Sequence, residues 1–559
     1  MKQILLVLIA AATLSGCAQK TDEVQTKRIA AYCKVWGFLK YYHPAVADHD
    51  LDWDSTFIQI YRQVKSAASA AEYDKALISL FDKAQDAGKR ENHISDKPDS
   101  NYEKSYPNVD FSWIDDRSVI STDLSSALHK VRDEFRPHFN HYIARSEAGN
   151  PDVGNDNEFS ESQYPIEPIR VLALARYWNI INYFYPYKDV IGSPWDSMLL
   201  PYVPRMIEAK DTMEYQLGVL EFAHKINDGH SFAHSEFIRE YFGRGMLPFD
   251  VAYIDGKTVV VGNNPYAASN SDSLFHAMGI RKGDILEKID GKDVDKIRAD
   301  LLKYVSGSND GFHQVQIDFM LLMGKPAKTI PVTFNRGSSP FTAELKYESY
   351  EGLNYHALTD TGSPWRILKN NIGYVNLDHL TVGNADSAMT QLLDTKYIIF
   401  DLRNYPKQTL WKLLSYLTPS HTFFLASFPN LQRPGYLHKD SDSADMAGKE
   451  TTYKGKIIIL VNEMTMSHAE FTAMALQSVP GAKTFGSQTA GADGNVSHIS
   501  LPGQIDAYFS GIGIFYPDGS PTQRVGVKID YVVRPTIKGI REGKDEVLER
   551  AVKYVETGS

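Results

Sequence analysis

Two stretches of the chain repeat one another at a constant offset of 142 positions. Arg28 matches Arg170, Trp36 matches Trp178, Tyr41 matches Tyr183 and Pro44 matches Pro186. Farther along, Trp53-Asp54 matches Trp195-Asp196, Tyr73 matches Tyr215, Lys83 matches Lys225 and Asp86 matches Asp228. A gapless match of this length predicts two copies of one supersecondary unit. Each copy opens with an apolar-periodic run, Ile29–Tyr42 and Val171–Tyr185, and proline stops it, so the unit is helical. The copies differ at their ends. The second closes on Asn227-Asp228-Gly229-His230-Ser231, whereas the first has Gly88 where His230 would fall. A histidine-bearing turn in one copy only is a candidate for chemistry; the plainer alternative is a satisfied interface histidine.

The chain has 559 residues, too many for one core, and several domains are expected. Its net charge is −10 with no basic stripe, which argues against nucleic acid as a partner. The 32 Tyr and 26 Phe suit grooves that grip a ligand, although a large core also absorbs aromatics. Met1-Lys2-Gln3 is a basic lead, and the apolar run Ile4–Leu14 is too short to span a bilayer. It ends in Leu14-Ser15-Gly16-Cys17, which resembles a bacterial lipoprotein signal. That resemblance implies cleavage before Cys17, a lipid on its thiol, and a place in the cell envelope at the outer membrane or periplasmic face. Cys33, the other cysteine, then lacks a disulfide partner and reads as a buried thiol.

Between the copies, the polar stretch 91–165 reads as a partly ordered linker with one helix near Leu124–Ser146. After them, Val251–Tyr253 and Thr258–Val261 flank Asp255-Gly256, a hairpin signal. The segment from Met278-Gly279-Ile280-Arg281-Lys282-Gly283-Asp284 through Asp290-Gly291 to a helix near Val294 resembles the PDZ pattern of bacterial proteases. Such folds add a peptide to a sheet edge; an inert spacer is the alternative.

From Ile367 onward strand and helix alternate. Ile372–Leu377 and Tyr397–Phe400 read as strands, Asn384–Leu392 and Gln408–Leu417 as helices. Lys456–Val461 is an apolar, β-branched run of the kind buried in a parallel sheet. A short turn follows, then Ser467 and the amphipathic run Ala469–Gln477. Strand, tight turn, serine and helix lift a hydroxyl to the sheet's carboxyl edge beside free helix N–H groups. The alternative is a plain N-cap, with Glu470 completing a capping box.

This serine turn, the strand end Asp401-Leu402-Arg403, the PDZ-like insert, Gly526-Val527-Lys528-Ile529-Asp530 and Gly543-Lys544-Asp545 before the last helix together resemble peptidase family S41. That family comprises the C-terminal processing and tricorn-like serine proteases. The resemblance implies a C-terminal α/β domain of the ClpP/crotonase-like kind and Ser467 as nucleophile. The processing branch uses a lysine base in a Thr-x-Gly-Lys context, but here Thr489-Ala490-Gly491 is followed by Ala492. The tricorn-like branch takes a histidine ahead of the PDZ module, which His230 matches. A serine hydroxyl needs such a base, and an imidazole titrates near working pH.

A third group should orient the ring. The tricorn-like branch has a Glu where this chain has Gln523; Asp493 and Asp228 are the substitutes. For the oxyanion, the His468 amide is one backbone donor and Tyr405 or Lys407 the other, since Asp401-Leu402-Arg403-Asn404-Tyr405-Pro406-Lys407 lacks the family's glycines and Pro406 has no N–H. No metal constellation or cofactor loop stands out.

The expected architecture is multidomain α+β: signal peptide 1–16, tether 17–27, helical repeats 28–90 and 166–240 around the linker 91–165, a PDZ-like module 241–346, and a peptidase domain 347–559. The expected function is a lipid-anchored serine endopeptidase acting on unstructured polypeptides. The alternative is a catalytically inactive scaffold of the same family that binds peptides or glycans.

Overall fold

The computed structural model describes residues 23–47, 51–87, 100–134, 140–264, 278–349, 362–417, 422–441 and 452–558. The signal-like leader and Cys17 lie outside the described residues. Among the described residues, no helix is long and apolar enough to cross a membrane.

The first half is built on two helices, one over 23–42 and the other Glu167–Phe184, each buried along most of its length. They meet where Gly37 faces Asn179; a methyl group at Gly37 would lie 2.0 Å from the Asn179 side chain. The Asn179 amide donates to the Cys33 carbonyl across this contact at 3.0 Å. Ion pairs cross the same interface in both directions. Lys34 reaches Asp196 at 2.6 Å, and Arg176 pairs with Asp54. Lys34 and Arg176 are equivalent under the 142-residue offset, as are Asp54 and Asp196. Each stretch also carries a reciprocal indole pair. Trp36 Nε1–H donates to the Trp53 carbonyl at 3.1 Å, and Trp53 Nε1–H returns the bond to Trp36 at 3.2 Å. Trp178 and Trp195 exchange the same two bonds at 3.0 Å each. The indoles are buried, so each N–H needs such a partner.

The stretch between these helices is more ordered than its polar composition predicts. Its helix is Thr122–Asp133, capped by Ser121, and stops well before Ser146. Residues Ile143–Arg145 instead pair as a strand with Pro151–Val153, and Gly149, at φ 93°, lies in the connection. The polar run 149–163 works as a strap. Asn150 donates to the Val496 carbonyl and to the Ser497 hydroxyl at 3.1 Å each, and the Asn157 amide reaches Asp54 at 3.1 Å. Tyr106–Pro107 pairs with Tyr436–Asp440 of the C-terminal half. Side-chain partners a few hundred residues away supply what local periodicity cannot.

The middle module is an antiparallel sheet with Phe249–Ile254 at one edge, followed in order by Lys257–Asn263, Ile285–Ile289, Thr329–Arg336 and Ser339–Lys346. Asp255 and Gly256 both take positive φ, 51° and 73°, as a two-residue hairpin turn requires. On the edge strand, the Tyr253 amide donates to Asp318 at 3.1 Å and the Val251 amide to Asp250 at 2.9 Å. Asp318 is in turn held by Arg298. These carboxylates occupy edge amides that would otherwise be free to pair with another strand.

In the C-terminal half, strands Trp365–Leu368, Ile372–Asn376, Tyr397–Asp401, Lys456–Val461, Lys483–Gly486 and Tyr531–Val532 form one sheet in that order, parallel except for the first pair. Along Lys456–Val461, Ile457, Ile459 and Val461 enter one core, while Ile458 and Leu460 enter the other. Burial on both faces is why this strand is apolar throughout rather than alternating. A small antiparallel sheet joins the halves. Val496–Leu501 pairs with Ile505–Ser510, which pairs with Ala233–His234 from the second helical stretch. Ile499, Leu501, Ile505, Ala507 and Phe509 belong to the same core as the helices.

The strand end Asp401-Leu402-Arg403 is a clamp. Arg403 makes paired bonds to Asp401 at 2.9 and 2.6 Å and to Asp545 at 2.8 Å through each of two nitrogens. Asp545 caps the last helix, Glu546–Thr557, by accepting from the Leu548 amide at 3.0 Å. The Tyr374 hydroxyl completes Asp401 at 2.8 Å.

Two stability outcomes follow from these contacts. Removing the guanidinium in Arg403→Ala leaves Asp401 buried without its partner, at a cost of about 3 kcal/mol in denaturant unfolding; an unchanged midpoint would remove the clamp from the account. Gly37→Ala should raise helix propensity by about 1 kcal/mol, yet the clash with Asn179 makes the net effect destabilising by about 1–3 kcal/mol. Asn179→Ala in the same chain should recover part of that loss, read as a coupling in a double-mutant cycle.

Candidate active site

Asp228 is fully buried and gathers four donors on its carboxylate. They are the His230 amide at 3.0 Å, the Ser510 amide at 2.8 Å, the Ser510 hydroxyl at 3.0 Å and Gln523 Nε2 at 3.2 Å. The turn is pinned from the middle segment as well. The Gly229 amide donates to the Ser308 hydroxyl at 2.7 Å, and the Ser306 hydroxyl donates to the Asp228 carbonyl. Three distant pieces of chain therefore set the position of His230.

His230 Nδ1 lies 2.8 Å from Ser510 Oγ. A carboxylate only accepts, so the Ser510 proton goes to Asp228 and Ser510 Oγ must accept from the ring. That makes Nδ1 the protonated nitrogen and leaves a lone pair on Nε2, the arrangement a general base needs. Among the described residues, Nε2 has no hydrogen bond. Burial lowers the ring's pKa below the ordinary histidine value, with the Asp228 charge opposing, so the neutral form is favoured.

Ser467 stands at the junction of strand and helix with φ 56° and ψ −125°. For a residue with a Cβ this conformation costs about 1–3 kcal/mol and must be held from outside. Its amide donates to the Ala492 carbonyl at 2.8 Å, and its carbonyl accepts from the Phe471 amide at 3.0 Å. The serine side chain makes no capping bond, so the capping-box alternative does not describe this turn. A sharp strand-to-helix turn of this kind exposes a nucleophile.

Glu470 is turned instead onto the turn 489–492. It accepts from the Thr489 hydroxyl, from the Gly491 amide at 2.9 Å and from the Ala492 amide at 2.9 Å. Burial pushes its carboxyl up to about 7, against the pull of these donors. The Asn309 amide closes the same turn from the middle segment, donating to the Thr489 and Ala490 carbonyls at 2.8 and 3.0 Å.

Ala492 lies between the turn 228–230 and the backbone of Ser467. On one side its carbonyl holds the Ser467 amide; on the other, a methyl at Gly229 would come within 2.8 Å of its Cβ. A lysine here would need the room that the Asp228-Gly229-His230 turn fills. Ala492 thus touches both the backbone of Ser467 and Gly229, the residue before His230. Among the described residues, no hydrogen bond joins the Ser467 hydroxyl to His230.

The remaining candidates are placed as follows. Gln523 does not bond the imidazole; its Nε2 bonds Asp228, and its buried Oε1 has no partner among the described residues. Asp493 accepts from the Gly494 amide at 2.7 Å and makes no bond to His230 among the described residues. Burial and the nearby Glu470 charge push its carboxyl well above the usual range. His468 is the first residue of the helix His468–Gln477, where amides lack intrahelical acceptors. Tyr405 is exposed, with its ring 6.4 Å from that of His468. The Lys407 amide already donates to the Leu377 carbonyl at 3.4 Å. Ser510 escapes sequence reasoning altogether. A serine closing the strand Ile505–Ser510 carries no local sign that its hydroxyl links a carboxylate to an imidazole some 280 positions away.

Residues 371–533 match the family model described as Peptidase family S41. The chain's fold is similar to that of mature CPAF complexed with lactacystin, at TM-score 0.53 and 15% identity, covering 70% of this chain and 98% of that one. A CPAF mutant gives TM-score 0.55 and 14% identity over 70% of this chain and 98% of that one. No curated protein matches the chain. The matched residues contain the parallel strands, the Asp401–Arg403 strand end, the Ser467 turn and Ser510, so this part of the chain carries a domain of peptidase family S41.

Proposed function

We propose that this chain is a lipid-anchored serine endopeptidase of the cell envelope that cuts unstructured polypeptides. Ser467 is its nucleophile and His230 its general base. The observation that carries the assignment is the Asp228–Ser510–His230 chain of hydrogen bonds, which leaves Nε2 as the nitrogen available to a base, in a chain whose Ser467 sits on a strained strand-to-helix turn. In the reaction, Ser467 Oγ attacks the scissile carbonyl carbon and its proton passes to His230 Nε2. The His468 amide, at the helix N-terminus, holds the developing oxyanion, with Tyr405 at the mouth of the site. The imidazolium returns the proton to the leaving amine, and water then hydrolyses the acyl-enzyme. Asp228 steadies the charged ring through Ser510; Gln523 and Asp493 act around it rather than on it.

The other modules complete the reading. The helical stretches are duplicated units, supported by their equivalent indole pairs and by ion pairs exchanged across the interface. The segment 241–346 is a PDZ-like module, and through Ser306, Ser308 and Asn309 its chain touches both the His230 turn and the 489–492 turn. Cys17, by its lipoprotein-like context, supplies the anchor.

A fluorophosphonate probe tests the nucleophile and base directly. Native protein should be tagged, and tagging should vanish in Ser467→Ala and fall at least about 100-fold in His230→Ala. No tagging of the native chain would favour the inactive, peptide-gripping scaffold.

The pH dependence tests the positioning of the ring. Activity needs neutral His230; a lowered pKa keeps it neutral at lower pH, so the acidic limb of kcat/KM should lie below pH 6.5. Asp228 raises that pKa, so Asp228→Asn should move the limb further toward acid. Ser510→Ala should cut kcat by about tenfold with little change in KM, whereas a merely structural Ser510 would leave both kcat and the limb in place.

A further inference from the structure

The strand that ends at Ser510 also carries part of an exposed array of rings. Ser231, Ala233, Ala507 and Phe509 point into the core, so by strand alternation Phe232, His234, Asp506 and Tyr508 stand on the opposite, outer face. The pairing is direct. The Tyr508 amide donates to the Phe232 carbonyl at 2.9 Å, and His498 lies opposite Tyr508 on the next strand. Phe232 stacks on Tyr508 with ring centroids 4.4 Å apart and planes 17° apart. His498 borders the far side of Tyr508 at 5.0 Å. Phe232 comes from the edge strand and is 44% exposed, so the outermost ring of the stack faces solvent.

A large exposed aromatic stacked on a second ring, which stands one strand repeat from the Ser510 that bonds His230, calls for an occupant. The spacing says which. Tyr508 precedes Ser510 by two positions on the strand Ile505–Ser510, so the Tyr508 backbone lies about 7 Å along that strand from Ser510. An extended polypeptide advances by the same distance every two residues. The charge on the platform is already met, because Asp506 is bonded to His498 Nε2 at 2.7 Å and lies 3.9 Å from His234 Nε2. What remains open is an apolar ring face rather than a site for a cation.

We infer that Phe232 and Tyr508 form a substrate subsite that takes an aromatic side chain a few residues from the scissile bond. This deepens the peptidase reading above and rests on it for the identity of the occupant. The subsite explains why the hairpin Val496–Leu501/Ile505–Ser510 carries rings on a face that the core does not use.

The test uses the full-length chain with Ser467→Ala, so that binding is read without turnover. Fluorescently labelled, reduced β-casein is bound to it, and two Gly/Ser decapeptides compete, identical except for a central Phe or Ala. The Phe peptide should displace casein at an about fivefold lower concentration. That advantage should disappear when Phe232→Ala is added and return with Phe232→Trp; thermal midpoints check that each variant is folded. Equal displacement by both peptides, an advantage that survives Phe232→Ala, or no casein binding at all would each overturn the subsite. Casein hydrolysis by the native chain, and its loss in Ser467→Ala, is scored separately. Its failure alongside an intact Phe-over-Ala preference would sink the hydrolase reading while leaving the ring platform as a peptide-binding site.

Discussion

A single buried carboxylate holds the two halves of this molecule in register at the site. Asp228 has no exposure to solvent, and an ionised group in that position is tolerable only when its oxygens are filled. The donors come from its own turn, from the strand Ile505–Ser510 and from Gln523. Moving the helical half away from the C-terminal half would strip several of these bonds at once. The same requirement that fastens the halves also aims the imidazole, because the Ser510 hydroxyl cannot serve the carboxylate without presenting its oxygen to Nδ1.

The second constraint is the size of residue 492. Its methyl lets Gly229 approach, its carbonyl steadies the strained Ser467, and its amide is tied to Glu470. In this packing a side chain larger than alanine at 492 would meet the turn that carries Gly229. Glu470 belongs to the same logic. Placed three residues after a serine, it invites a capping-box reading, but it is committed to the turn 489–492 and positions the neighbour of the nucleophile rather than the helix end.

Much of the fold was legible because its causes are local. Both-face burial makes Lys456–Val461 uniformly apolar, and Asp255-Gly256 announces its hairpin through the backbone angles those residues accept. Prolines stop the long helices. In the stretch 91–165 the extent of the helix and the pairing that follows it have distant causes. Its polar residues look like a linker by composition, yet Asn150 and Asn157 spend their amides on partners far away in the chain, and Ile143–Arg145 is drawn into a strand by Pro151–Val153. Gln523 illustrates the same limit at the site: its place in the chain points to the ring, but packing puts its amide on Asp228.

By itself, the sequence determined the long helices, the uniformly apolar buried strand and the strand–turn–serine–helix order. These are matters of period, residue type and spacing, which act over a turn or a strand. Only the tertiary structure decided that Ser510 stands between Asp228 and His230, that Ala492 meets both Gly229 and the Ser467 backbone, and that the rings of Phe232 and Tyr508 stack on one another. Those relations depend on how many donors a buried carboxylate must collect and on which side chains have room to meet, and both are settled only when distant segments are packed together.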